Sequence, residues 1–271
     1  MRKPTLLALC LLLAACQMPI SPQLTVATQA TGPRNLTVFA AASLSEAFTD
    51  IGEAFKAAHP GIEVTYNFTG SQQLAQQLAH GAPADVFASA NQLQMDAVVE
   101  AGRVDAGSPQ IFAHNRLVVI YPKENPAGLA SLRDLAKPGL KLVLAAKEVP
   151  VGGYSIQFLE KASQSPDFGA DFMDLALSNV VSYEENVRAV YNKVALDEAD
   201  AGIVYATDIP KDNPDAVGKV DIPDELNVVA EYPVAPVSDS SNLELAGEFV
   251  AYLLSPEGQK VLAEYGFSPI H

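Results

Sequence analysis

The sequence predicts an α/β protein with two lobes, each a mixed, mostly parallel sheet flanked by helices; a single sheet is the alternative. From residue 36 onward, short apolar strands alternate with helical segments, which is the pattern of right-handed crossover units. The composition, 49% hydrophobic and 18% charged, is that of an ordinary globular protein. Two extended stretches, residues 113–128 and 231–237, look like crossings between the lobes, so a cleft is expected there.

The first 16 residues read as a secretory leader. Arg2 and Lys3 precede an apolar run from Leu6 to Ala15, which is too short to span a membrane. The end of this run resembles a bacterial lipobox, which would make Cys16 the lipidated first residue of the mature protein; the alternative is an ordinary signal cleavage. Residues 17–35 are rich in Pro, Ser, Thr and Gln without a period, and they are expected to form a flexible tether.

Each element after the tether follows from its local pattern. Residues 44–59 place Leu44, Phe48, Ile51 and Phe55 at helical spacing, and Gly81 is expected to close a second helix. The predicted strands are 36–40, 62–68, 84–90, 117–122, 141–146 and 201–206. The predicted helices are 44–59, 71–81, 91–101, 153–163 and 184–196. Lobe 1 is expected to comprise residues 36–113 and 236–271, and lobe 2 residues 114–235.

Charge and cysteine content exclude several classes of function. The formal net charge is −15, and removing Arg2 and Lys3 with the leader leaves 15 basic against 32 acidic residues, or −17. Binding to nucleic acid relies on basic side chains that neutralise phosphates, so it is not expected. Both cysteines, Cys10 and Cys16, lie in the leader. Disulfides, cysteine-zinc sites and a cysteine nucleophile are therefore excluded from the folded part.

Four strand-to-helix junctions are candidate ligand sites, since ligands of open parallel sheets bind beyond the carboxyl ends of the strands. Ser43 follows FAAA, and with Glu46 it matches a capping box, so a purely capping role is the alternative. Ser71 opens SQQLAQQLA, VPVGGYS (149–155) opens a helix at a glycine pair, and Val187 lies in the first turn of a helix. Helix amino termini carry unpaired N–H groups and partial positive charge, so their convergence predicts an anion site without Lys or Arg.

Tyr205 ends the strand AGIVYA, where a tyrosine is either core or a cleft donor. Evidence for an enzyme is weak. The four histidines have no metal-ligand spacing, and the chain lacks GxSxG, P-loop and GxGxxG motifs. Acidic pairs such as Glu184 and Glu185 are most simply solvated helix faces. The sequence therefore predicts a binding protein rather than a catalyst, with no cofactor.

The runs VFAAASLSEAF, FTGSQQLAQQLAHGAPADVFASAN, VPVGGY, ENVRAV and AGIVYATD resemble, in order and spacing, the periplasmic molybdate-binding proteins of bacterial ABC importers. The resemblance implies a two-lobed periplasmic binding protein fold of type II, with the ligand cleft between the lobes. It also implies binding of molybdate or tungstate as the oxyanion, without direct protein–metal bonds. The expected partner is the importer's membrane permease, and the protein is expected to be an extracytoplasmic monomer held at the membrane by lipidated Cys16.

Residue by residue, the resemblance implies ligand contacts from Ser43 and Ser71 through hydroxyl and amide, from Val151 and Val187 through their amides, and from the Tyr205 hydroxyl. Tyr154 is an alternative or an addition to Val151. A distant branch of the family adds two carboxylates for octahedral coordination, and neither Asp171 nor Glu184 aligns with them clearly, so tetrahedral coordination is expected. The remaining alternatives are a binding protein for another tetrahedral oxyanion such as sulfate, a phosphate or sulfate ester hydrolase, and a structural envelope lipoprotein.

Overall fold

Strands and helices alternate through most of the computed structural model, which describes residues 34–270. The leader and Cys16 lie outside the described residues. In this part of the chain there are nine strands: β1 Arg34–Ala41, β2 Ile62–Thr69, β3 Val86–Ala88, β4 Gln110–Pro122, β5 Leu142–Ala145, β6 Val180–Glu184, β7 Ala201–Tyr205, β8 Val217–Asp221 and β9 Val229–Pro236. The α-helices are α1 Ser45–Ala58, α2 Ser71–Ala79, α3 Gln92–Glu100, α4 Pro150–Gln164, α5 Phe172–Ser178, α6 Val187–Ala195, α7 Leu243–Leu254 and α8 Pro256–Glu264.

The strands form one curled sheet in the order β2-β1-β3-β9-β4-β7-β5-β6, and β8 also pairs with β4. The outer strands pair in parallel, β1 with β2 and β3, and β5 with β6 and β7. The pairs made by β4 and β9 are antiparallel. Each end of the sheet is thus a parallel crossover unit, and β4 and β9 join the two ends.

Local patterns explain the early elements. Phe48, Ile51 and Phe55 on α1 are fully buried, as their helical spacing predicts. The chain leaves α1 through His59-Pro60 and turns at Gly61, whose φ of +86° suits glycine. Gly81, with φ +87°, follows α2 in the same way and confirms its predicted role as a helix terminator.

Several predicted boundaries were wrong. Residues 184–186 are not helical: β6 runs through Glu184 as a parallel partner of β5, and α6 begins at Val187. The strand expected at 117–122 starts at Gln110, because its first half pairs with β9. α4 begins at Pro150 rather than near 153, since proline is well tolerated in the first helical turn. Five elements were not predicted: β6, β8, α5, α7 and α8.

Buried hydrophobic side chains form two clusters. The larger one extends along the whole sheet and includes the aromatic contacts of Phe48 with Phe112 and Phe249. The smaller cluster packs α2 and α3 against the β3 side of the sheet, around Leu74 and Phe87. In residues 34–270 no helix combines the length and hydrophobicity that a membrane span requires. These cores hold the strand ends in place, and the candidate site lies at those ends.

Candidate functional site

The four predicted junctions meet at one small cavity. The five residues that the sequence analysis singled out, Ser43, Ser71, Val151, Val187 and Tyr205, all line it. The other lining residues are Ala41, Ala42, Gly70, Ala90, Val149, Pro150 and Asn186. Residues as far apart in the chain as Ala41 and Tyr205 thus meet at the carboxyl ends of the strands.

Ser43 lies in a short 3₁₀ turn, Ala42–Leu44, between β1 and α1. Its hydroxyl is 3.0 Å from that of Tyr232 on β9, and the residue is 4% exposed. The predicted capping box is wrong, because α1 starts two residues later and neither helix start has a side-chain cap. Glu46 instead pairs with Arg188 of α6. The 3₁₀ turn thereby releases Ser43 from capping and places it at the cavity.

Ser71 is the first residue of α2, and Gly70 occupies the N-cap position. The Ser71 hydroxyl oxygen accepts a hydrogen bond from the Ala90 N–H at 3.0 Å. A backbone N–H is only a donor, so the hydroxyl hydrogen of Ser71 remains available to a ligand. A Cβ at Gly70 would lie 2.6 Å from the carbonyl oxygen of Glu185. Glycine at this position therefore permits the close approach of the chain before α6.

The other two junctions present backbone amides. Val151 is the second residue of α4, and the N–H groups of a first turn have no acceptor within their own helix. Gly152 allows the turn to pack tightly, since a Cβ there would lie 2.6 Å from the Ala145 carbonyl oxygen. At α6, the Asn186 side chain caps the amide of Ala189 at 3.0 Å. Val187 is the first helical residue and lines the cavity, and its amide has no acceptor within its own helix.

Tyr205 supplies the most informative side chain of the site. It is 1% exposed, and within residues 34–270 its hydroxyl makes no hydrogen bond of good geometry, although it lies close to the Tyr232 hydroxyl. Burial raises its pKa well above the ordinary value of 10, so the phenol stays protonated and is a donor near neutral pH. An unpaired buried hydroxyl is costly, which makes a missing ligand the simplest explanation for this one.

The backbone of Tyr205 is held by Asp208, whose carboxylate accepts the Tyr205 N–H at 2.9 Å. Burial raises the pKa of Asp208 to about 6, although Arg188 and that N–H oppose the shift. The Arg188 guanidinium is 3.7 Å from the Asp208 carboxylate and also contacts Ala42 and Ser45. Arg188 thus connects α6 to the start of α1 and is engaged outside the cavity.

No Lys, Arg, His, Asp or Glu is among the residues that line the cavity. Positive potential must therefore come from the amino ends of helices and from the oriented hydroxyls. The described residues also contain no cluster of three or more His, Cys, Asp or Glu that could hold a metal. The arrangement can bind an anion through neutral donors, and it offers no general base.

Three residues that the sequence analysis considered lie away from the cavity lining. Tyr154 packs its ring against Tyr205 at a centroid distance of 6.5 Å, and burial raises its pKa to about 12. Burial disfavours the charged form of Glu184, but hydrogen bonds from Lys193 and Ser182 prevail and lower its pKa. Asp171 precedes α5. The structure therefore brings neither Asp171 nor Glu184 to the cavity as a second set of ligands.

Several residues of the site were not predicted. Ala90 and Asn186 line the cavity, and Tyr232 contacts Ser43 from behind. Asn186 carries a readable signal, since an Asn before an apolar helical run is a preferred N-cap. Tyr232 carries none, because 189 positions separate it from Ser43.

Comparison with known proteins agrees with this geometry. The family model for bacterial extracellular solute-binding proteins matches residues 36–268. A molybdate-binding protein of Mycobacterium tuberculosis is 40% identical over 248 residues, which cover 92% of this chain and 90% of that protein.

Solved structures show the same fold. The periplasmic molybdate-binding protein of Azotobacter vinelandii superposes with a TM-score of 0.75 at 18% identity, covering 87% of this chain and 100% of that one. The sulfate-binding protein SubI of Mycobacterium tuberculosis superposes with a TM-score of 0.77 at 20% identity, covering 88% and 87%. The predicted α/β fold, that of two-lobed periplasmic binding proteins, is confirmed. The chain belongs to the bacterial extracellular solute-binding proteins, a family of extracytoplasmic binding proteins rather than enzymes.

Proposed function

We propose that this protein captures molybdate or tungstate outside the cytoplasm and delivers it to the membrane permease of an ABC importer. The observation that carries the proposal is the buried Tyr205 hydroxyl, which has no partner among residues 34–270, in a cavity that these residues line with helix starts and without a charged side chain. The 40% identical relative is named a molybdate-binding protein, which supports this choice of ligand. The importer follows from the same relationship.

The ligand set in this proposal is Ser43, Ser71, Val151, Val187 and Tyr205, which surround a tetrahedral oxyanion. The hydroxyls and amides donate hydrogen bonds to its oxygens, and bonds to a charged acceptor are stronger than neutral ones. No metal is coordinated directly, because molybdenum stays enclosed by its own oxygens. No cofactor is required.

Selectivity for molybdate and tungstate over other oxyanions follows from the hydrogen-bond donors of the site and from the size of the anion. Every oxygen of a dianion without protons is an acceptor, which matches a site made of donors. A protonated oxyanion such as hydrogen phosphate brings a donor that finds no acceptor, and this costs binding energy. Sulfate carries the same charge but is smaller, so its oxygens reach fewer of the fixed donors.

Closure of two lobes around the ligand belongs to the same proposal, with lobe 1 at residues 36–113 and 236–271 and lobe 2 at 114–235. The support is that β4 and β9 are the strands that link the two parallel ends of the sheet. Hydrogen bonds also join the two proposed lobes. The side-chain amide of Gln72 donates to the Glu185 carbonyl oxygen at 2.8 Å, and that of Gln73 donates to the Glu185 carboxylate at 3.1 Å. Such contacts can form only when the two sides are together.

Anchoring through Cys16 and a monomeric state complete the proposal. Cys16 and residues 17–33 of the predicted tether lie outside the described residues, whereas residues 34 and 35 belong to β1, so support for the anchor comes from the leader sequence alone. A Cys16→Ser variant should lose incorporation of labelled fatty acid and leave the membrane fraction. Retention of the label in this variant would contradict the anchor. The monomeric state is checked by light scattering, which should give the mass of one chain.

Isothermal titration calorimetry with molybdate, tungstate, sulfate and phosphate tests the ligand. Molybdate and tungstate should bind at least tenfold more tightly than sulfate, because tenfold corresponds to only about 1.4 kcal/mol of lost donor contacts. Equal affinity for sulfate and molybdate would assign the protein to the sulfate class. Hydrolysis of a chromogenic ester that Ser43→Ala abolishes would instead indicate an enzyme.

A further inference from the structure

A buried polar chain lies behind Ser43, outside the cavity. Tyr232 on β9 is fully buried and places its hydroxyl 3.0 Å from that of Ser43. Asn115 on β4 is 2% exposed, and its Nδ2 lies 3.3 Å from the Tyr232 hydroxyl. The same Nδ2 donates to the Thr207 hydroxyl at 2.7 Å. The two strands that join the ends of the sheet thus reach the ligand site through a hydrogen-bonded chain.

The direction of the hydrogen bonds in this chain follows from one backbone group. The Arg116 N–H donates to Oδ1 of Asn115 at 2.9 Å. A backbone N–H cannot accept, so the other end of the Asn115 amide is its NH₂ group. Both hydrogens of that group are then used, one on Tyr232 and one on Thr207.

The Tyr232 hydroxyl therefore accepts from Asn115 and has its own single hydrogen to place. Within the described residues, the Ser43 hydroxyl oxygen is the remaining hydrogen-bond partner of Tyr232. If Ser43 donated to Tyr232 instead, a fully buried phenolic hydrogen would have no acceptor, which is unfavourable. The favoured arrangement has Tyr232 donating to Ser43, and the hydrogen of Ser43 is left for the cavity.

We propose that Tyr232 and Asn115 are positioning residues that orient the Ser43 hydroxyl as a hydrogen-bond donor to the bound oxyanion. This inference rests on the proposed function of the cavity. Ser71 provides a parallel, because the Ala90 N–H occupies its oxygen in the same way. Both ligand serines thus have their acceptor side engaged by the protein and present a hydrogen to the ligand.

A double-mutant cycle tests the proposal on the full chain, with molybdate affinity measured by calorimetry. Tyr232→Phe keeps the ring and removes the hydroxyl, so molybdate should bind about three- to tenfold more weakly. Ser43→Ala should weaken binding by roughly 10- to 150-fold, the loss of a hydrogen bond to a charged group. The double variant should match Ser43→Ala within about twofold, because Tyr232 acts only through Ser43.

Tyr66→Phe is the matched control, since it also removes a tyrosine hydroxyl, one that donates to the Phe48 carbonyl away from the cavity. It should leave molybdate affinity unchanged. If Tyr232→Phe does not fold, Asn115→Ala replaces it in the cycle. It should weaken molybdate binding by about two- to fivefold in the wild-type background and have no effect in the Ser43→Ala background.

The outcomes separate this inference from the proposed function. If the wild-type protein does not bind molybdate, the proposed function is wrong and the inference is lost with it. If the wild-type protein binds and Ser43→Ala weakens binding, two results overturn the inference alone. The first is a Tyr232→Phe variant that binds molybdate with wild-type affinity. The second is a double variant whose loss of affinity equals the product of the two single losses, as a general structural role of Tyr232 predicts.

Discussion

Removing the hydroxyl of Tyr205 should change stability and binding in opposite directions. The phenol oxygen is buried without a partner in the described part of the chain, so Tyr205→Phe removes a group that the protein does not satisfy. The ring remains, together with its packing against Tyr154 and Tyr232 at centroid distances of 6.5 and 5.8 Å. The substitution therefore isolates one hydrogen-bond donor.

The expected magnitudes follow from that environment. An unsatisfied buried hydroxyl costs about 1 to 3 kcal/mol, and opening of the cleft to water recovers part of this. Without ligand, Tyr205→Phe should raise the free energy of unfolding by about 1 kcal/mol, or Tm by about 2 to 4 °C for a chain of this length. With molybdate, loss of a bond to a charged acceptor should weaken binding by about 1.5 to 3 kcal/mol, roughly 10- to 150-fold.

Urea unfolding without ligand and calorimetry with molybdate measure the two effects. Tyr66→Phe is again the control, because its hydroxyl donates to a carbonyl at 2.6 Å and its loss should destabilise the protein by about 1 kcal/mol without changing affinity. A Tyr205→Phe variant that is destabilised like this control, or that binds molybdate with wild-type affinity, would refute the reasoning. The first result would mean that the hydroxyl already has a partner in the protein, and the second that it does not donate to molybdate.

Three further predictions concern the same region. Ser71→Ala removes a ligand donor and leaves the Ala90 N–H unpaired, so by calorimetry molybdate should bind about 1.5 to 3 kcal/mol more weakly; unchanged affinity in both this variant and Ser43→Ala would place the site elsewhere. Gly70→Ala should weaken binding roughly tenfold while Tm without ligand changes little, because the new Cβ meets the Glu185 carbonyl oxygen, and wild-type affinity would contradict this. Burial raises the pKa of Asp208 from 3.8 to about 6, so the folded state binds the proton more tightly and stability from this group falls as pH rises through that range. Asp208→Asn lacks this titration. In urea titrations, the unfolding free energy of the variant minus that of the wild type should therefore increase by about 2 to 3 kcal/mol from pH 4 to 7. A difference that stays constant with pH would contradict the raised pKa of Asp208.

Local sequence signals predicted most of the elements. The helical spacing of Phe48, Ile51 and Phe55 and the terminator Gly81 act within one or two turns, and both predictions are confirmed. β6 was not predicted, and its last residue, Glu184, was assigned to a helix, because its five residues acquire their strand conformation from pairing with β5. β8 depends in the same way on β4, a partner about 100 positions earlier in the chain.

The error at Ser43 has a comparable cause. A serine followed by Glu46 satisfies the pattern of a capping box, yet the chain inserts a 3₁₀ turn before α1, and Glu46 pairs with Arg188. Arg188 is 142 positions away from Glu46, so no local pattern contains this contact. Ser43 therefore lines the cavity, although the alternative role as a helix cap is not realised.

By itself, the sequence determined the alternation of strands and helices, the small and neutral residues at each helix start, and the absence of cysteine from the folded part, because these are properties of short segments. Only the tertiary structure decided that those helix starts meet at one cavity, that the Tyr205 hydroxyl has no partner in the described part of the chain, and that Asn115 and Tyr232 direct the hydrogen of Ser43. The physical reason is that hydrogen-bond direction and burial depend on groups distant in the chain, which come together only when the whole sheet has formed.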